Sequence, residues 1–156
     1  MSRNRIADLQ LRGSTSPLPV RVYWPGQQAS QPVPVLVFCM VGAGAGPQAE
    51  ATCRSLSENP GLLVLAVSCP AGAQDGTIAL EWAAEHAAEL GGDAGRLLIA
   101  GPDAGGAVAA AVESQARAAG WPAVALAAGP DLSEAVRRIL ARAMSKSADQ
   151  DRLSSE

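Results

Sequence analysis

The chain reads as an α/β protein with one mostly parallel sheet flanked by helices, and three observations predict it. Val33–Val41, Leu62–Val67 and Arg96–Ala100 are short runs rich in Val, Leu and Ile without polar alternation, as in strands buried on both faces. Between them lie segments with apolar residues at helical spacing, so strand and helix alternate along the chain. Glycine or proline marks nearly every junction.

Taken in order, Ile6–Arg12 and Leu18–Trp24 alternate apolar with polar residues across the turn-rich Gly13-Ser-Thr-Ser-Pro17, which predicts an antiparallel pair. Pro25–Pro32 is a loop by composition, and the strand Val33–Val41 follows it. After the glycine loop Gly42-Ala-Gly-Ala-Gly-Pro47, Gln48–Asn59 has helical spacing and is stopped by Pro60-Gly61. Leu62–Val67 is the next buried strand and Pro70–Gly76 a loop. Thr77 stands as an N-cap for a helix running to Leu90 and closed by Gly91-Gly92. Beyond the strand Arg96–Ala100, a helix of small residues spans Asp103–Ala119, and Ala123–Ala128 is a fourth parallel strand. Asp131 caps a last helix whose apolar stripe is Leu132, Ala135, Val136, Ile139, Leu140, Ala143 and Met144. The expectation is one domain over residues 1–145 and a polar, aperiodic, disordered tail over 146–156.

Composition narrows the function classes. A net charge of −3, with one Lys and eleven scattered Arg, gives no stripe for neutralising phosphates, so nucleic acid is not expected as a partner. No apolar run approaches the ~20 residues that span a bilayer. Met1–Ile6 leads into no apolar signal region, so the expected compartment is the cytoplasm. Cys39, Cys53 and Cys69 lack metal-ligand spacing, and no metal or cofactor is expected. Gly42–Gly46 lacks the Gly-Lys-Ser/Thr ending of a phosphate loop.

The stretch with the most chemical content is Leu98-Ile-Ala-Gly-Pro-Asp-Ala-Gly-Gly-Ala107. There an apolar strand breaks into a glycine-flanked acidic turn that opens a helix. Gly101 and Gly105 sit where a nucleophile elbow, G-x-S-x-G, has its glycines, and Asp103 occupies the serine position. Together with Pro19–Pro25, Pro34–Phe38, Trp82–Asp93 and Arg96–Gly101, this segment resembles the α/β-hydrolase esterases and lipases of the hormone-sensitive-lipase group, from about Ile6 to Pro130.

That resemblance implies an α/β-hydrolase fold lacking the cap and the C-terminal strands. It also exposes departures from the family pattern. The family elbow reads Gly-Asp-Ser-Ala-Gly-Gly, against Gly101-Pro-Asp-Ala-Gly-Gly106 here. Met40-Val-Gly-Ala43 stands in place of the His-Gly-Gly-Gly segment whose backbone donors form the oxyanion hole, and Val41 and Ala43 add Cβ atoms where close approach is needed. The resemblance therefore places a ligand-binding edge at Met40, Val41, Gly42, Ala43, Asp103 and Ala104. A triad also needs a histidine within reach of the nucleophile, and the chain has only His86, inside a helix that precedes the elbow strand.

The favoured expectation is a catalytically impaired esterase-like protein that binds a small acyl or ester ligand or a protein partner. The alternative is an active hydrolase with altered machinery. In one version Asp103 attacks carbon as in haloalkane dehalogenases; in another a partner chain supplies the histidine. As the strand that ends the sheet, Ala123–Ala128 leaves an open edge, so the region Ala123–Met144 is expected to form a homodimer or take a protein partner. Cys39 and Cys69 close two strands that would be neighbours, which could bring them together at the C-terminal edge, although buried small hydrophobe is the simpler role for each.

Overall fold

A computed structural model describes residues 5–25, 31–41, 47–59, 61–102, 104–129 and 131–142. The antiparallel pair is present as β1 (Ile6–Arg12) and β2 (Pro17–Tyr23), with Asp8 opposite Arg21. Then come β3 (Val33–Met40), α1 (Pro47–Glu58), β4 (Leu63–Ser68), α2 (Ala73–His86), β5 (Gly92–Ala100), α3 (Ala104–Ala119) and β6 (Val124–Leu126). A last helix, α4, covers residues 132–142. The six strands are ordered β1-β2-β4-β3-β5-β6, and every pair from β4 to β6 is parallel.

Two packed layers explain why β3, β4 and β5 carry apolar residues continuously. In β3, Val35, Val37 and Cys39 enter the layer of α2 and α3, while Leu36, Phe38 and Met40 enter the layer of α1 and α4. A strand covered on both faces has no position left for a polar residue. The stripe on α4 packs inward, with Val136 fully buried and Leu132, Ala135, Ile139 and Leu140 against the cluster built on Phe38, Leu56 and Leu98. Asp131 Oδ1 accepts the Glu134 N–H at 3.1 Å, the capping bond the sequence predicts. Ala143, Met144 and the predicted tail lie outside the described residues.

The boundaries of α2 and β5 differ most from the sequence expectation. The helix α2 starts at Ala73, so Thr77 is interior to it, and its hydroxyl meets Gln115 Oε1 at 3.3 Å. The cause is Asp75: its carboxylate accepts the Ala71 N–H at 2.7 Å and holds the preceding turn in place. At its other end, α2 gives way after His86 to a 3-10 turn, Ala87–Leu90, which Gly91 closes in a left-handed conformation. Strand β5 begins four residues early, at Gly92, because Gly92 and Asp93 pair with Val33 and Pro34 before a bulge shifts the register to Val35 opposite Leu97. Asp93 holds that bulge through the Gly95 N–H at 2.8 Å and Arg96 at 2.9 Å.

Candidate active-site edge

The C-terminal ends of parallel strands are where α/β folds bind ligands, and here they gather the elbow, the start of α1 and the start of α4. Between Ala100 and Ala104 the chain reverses, and the Gly105 N–H donates to the Pro102 carbonyl at 2.8 Å. Steric contact dictates the two elbow glycines. A Cβ on Gly101 or on Gly105 would collide with the Cys39 carbonyl at the end of β3. The turn can therefore sit against β3 only without side chains at these positions.

A cavity of about 460 Å³ opens beside this turn, walled by Phe38, Gln48, Thr52, Pro102, Ala127 and Leu132. Its described lining has no charged side chain. Such a volume suits a small molecule, and such a lining suits a neutral one. The Thr52 hydroxyl is engaged by the Gln48 carbonyl at 2.9 Å.

Of the six residues singled out in the sequence for ligand binding, Met40, Val41 and Ala104 are described. Gly42, Ala43 and Asp103 lie outside the described residues. Val41 is 45% exposed at the strand end and Ala104 is exposed at the first turn of α3. Met40 turns its side chain to the α1 layer, where it lines a separate cavity of about 220 Å³ with Arg21, Tyr23, Glu50, Cys53 and Ser68.

His86 is at the wrong end of the molecule for a triad. It closes α2, a helix of 14 residues and so about 20 Å long, whose start follows the C-terminal end of β4. Its Nδ1 lies 2.9 Å from the Trp82 carbonyl, so Nδ1 carries the proton, and its ring stacks on Trp82 at 4.5 Å. The imidazole thus belongs to the N-terminal edge of the sheet, opposite the elbow.

Cys39 and Cys69 enter the same layer from neighbouring parallel strands, and the Cys69 thiol donates to the Val67 carbonyl at 3.8 Å. The neighbouring Cys69 and burial push the Cys39 thiol up. The neighbouring Cys39 holds the Cys69 thiol below its ordinary value, against burial and the Asp75 charge. Cys53 is on the other face of the sheet, where burial and Glu50 push it up to about 12.

Sequence reasoning missed Asp75 altogether. It is 1% exposed and accepts from the Ser14 N–H at 3.2 Å, the Ser14 hydroxyl at 3.1 Å and the Ala71 N–H. The signal was a lone acid in a Gly/Ala/Pro segment, which composition alone reads as a loop.

Comparison with known proteins agrees with this architecture. A family model described as alpha/beta hydrolase fold matches residues 38–151. Esterase LipI of Mycobacterium tuberculosis is 35% identical over 133 residues, covering 77% of this chain and 41% of that protein. Carboxylesterase NlhH of the same species is 35% identical over 116 residues, covering 67% of this chain and 36% of that one. Among solved structures, a hyperthermophilic esterase from the archaeon Pyrobaculum calidifontis superposes with a TM-score of 0.66 at 29% identity, covering 76% of this chain and 42% of that one. This chain thus spans about two fifths of the relatives it matches. By its strand order, its elbow and these matches, the chain belongs to the α/β-hydrolase fold family, with esterases as its relatives.

Proposed function

We propose that this chain is a catalytically impaired esterase homologue that acts by binding, as a cytoplasmic homodimer or with a protein partner, and takes a small neutral acyl or ester ligand at the C-terminal edge. The observation that carries this reading is the position of His86, the chain's one histidine, hydrogen-bonded to Trp82 at the edge opposite the elbow. A nucleophile at the elbow then has no histidine beside it among the described residues to take its proton or to activate water. The substitutions at the elbow and oxyanion positions, Asp103, Val41 and Ala43, point the same way. The described lining of the 460 Å³ cavity, Phe38, Ala127 and Leu132 among it, supports an apolar acyl or ester group. No described helix is long and apolar enough to cross a membrane.

The test is p-nitrophenyl acetate hydrolysis by the full chain. Background rates are expected, unchanged in Asp103→Ala and not raised in Asp103→Ser, because restoring the hydroxyl restores neither base nor oxyanion donors. Turnover well above background that vanishes in Asp103→Ala would overturn the reading and favour an aspartate nucleophile. Coverage of two fifths of the relatives' length keeps one rival in play, a histidine supplied by a second polypeptide. That rival requires activity to appear only when the second chain is added.

A further inference from the structure

The sheet ends at β6, whose residues Val124–Leu126 pair with β5 alone among the described strands. Ala127 N–H donates to the Ile99 carbonyl at 2.9 Å, and residues along a strand direct their backbone groups alternately to either side. Ala125 therefore faces β5, while Val124 and Leu126 direct N–H and C=O outward from the sheet. Trp121, 49% exposed, stands three residues before the strand. An edge that stays unpaired is ordinarily protected by charge, above all by Lys, yet residues 121–130 contain no Asp, Glu, Lys or Arg.

We propose that β6 pairs antiparallel with β6 of a second copy, across a twofold axis that passes beside Ala125 and perpendicular to the sheet. The pairing rests on the homodimer proposed above and gives it a register. Val124 lies opposite Leu126 of the partner subunit, and Leu126 opposite the partner subunit's Val124, each pair exchanging both N–H···O bonds. Between them Ala125 meets Ala125 of the partner subunit in a pair without hydrogen bonds.

A second copy is the occupant that charge and shape favour. A twofold axis sets each group against its own duplicate, and like charges directly opposite repel, so a self-pairing edge must be free of charge, as residues 121–130 are. The same axis keeps both copies of α4 on one face. The groove of about 230 Å³ lined by Val124, Ile139 and Leu140 is then closed from across the axis. Arg96, which also lines it, is already held by Asp93 and by the Pro32 carbonyl. The chain's own continuation matches this edge poorly, since residues 145–156 have Leu153 as their one large apolar residue beside five charged ones.

The experiment oxidises Ala125→Cys with copper phenanthroline and looks for a covalent dimer without reductant. Residues opposite one another in a pair without hydrogen bonds have Cα atoms about 4.5 Å apart, within reach of a disulfide. Two Val124 residues related by the axis are diagonal neighbours about 7–8 Å apart, out of reach. Ala125→Cys is therefore expected to link, whereas Val124→Cys and the wild type, whose three cysteines are buried, should remain single chains. In the wild type, exchange of the Val124 and Leu126 amide hydrogens should slow at least tenfold as the dimer forms. A monomer mass at high concentration would overturn the homodimer and this pairing together. A dimer in which Ala125→Cys fails to link, or Val124→Cys links as readily, would overturn the pairing alone. Should Ala125→Cys fail to fold, unchanged exchange at Val124 and Leu126 in the wild-type dimer would overturn it instead.

Discussion

A carboxylate that is 1% exposed needs its charge met by donors, and Asp75 has three, two from Ser14 in the first hairpin turn and one from Ala71. It ties the β1–β2 turn to the start of α2, elements 61 residues apart in sequence. Asp75→Ala leaves those donors without an acceptor in a buried setting and should cost about 2–4 kcal/mol, read as a lower urea midpoint with unchanged slope. Gly105→Ala places a methyl against the Cys39 carbonyl, a backbone atom that cannot swing aside, so a loss of about 1–3 kcal/mol is expected by the same measurement. His86→Ala, by contrast, should leave any residual ester hydrolysis untouched, since the ring faces Trp82 at the far edge. Cys53, pushed up to about 12, should resist iodoacetamide in the native protein at pH 8.

Among the elements, the bulge in β5 gives a pH prediction with a definite sign. Asp93 is held below its ordinary 3.8 by the Gly95 N–H and by Arg96. Because its folded-state pKa is depressed, it contributes stability at pH above the unfolded value, and that contribution disappears as pH falls through the folded value. The difference in urea stability between wild type and Asp93→Asn should therefore shrink on acidification and be constant above about pH 5. The first four residues of β5, Gly-Asp-Ala-Gly, have no apolar pattern, and only pairing with Val33 and Pro34 makes them a strand, so no local reading finds them. Strands β3 and β4 were legible because burial on both faces writes itself as an unbroken apolar run. The elbow was legible through Gly101 and Gly105, whose reason is contact with Cys39, whereas Met40 lines a second cavity on the same face as the elbow cavity, a division that no spacing in the sequence records. Spacing on α4 revealed its apolar stripe but not which layer it joins. Val136→Asp, which puts a charge in that layer, should destabilise by about 3 kcal/mol or more and raise dye binding by exposed apolar surface.

At the scale of the molecule, the described part of α4 packs its stripe into the core, and what stays open among the described residues on this side is the outer edge of β6 and a groove of about 230 Å³ lined by Val124, Ile139 and Leu140. A homodimer through this edge predicts a mass by light scattering that rises with concentration to twice the monomer, and a constant monomer mass at high concentration would rule it out. The side of the sheet on which α4 lies has a chiral consequence. The crossovers β4–α2–β5 and β5–α3–β6 run outward along the sheet with their helices on one face, while β3–α1–β4 runs the opposite way with its helix on the other, as a single right hand requires. Placed with α1, the helix α4 lies on the face that a right-handed crossover leading outward from β6 would not use, so α4 by itself is not the crossover of a parallel strand beside β6.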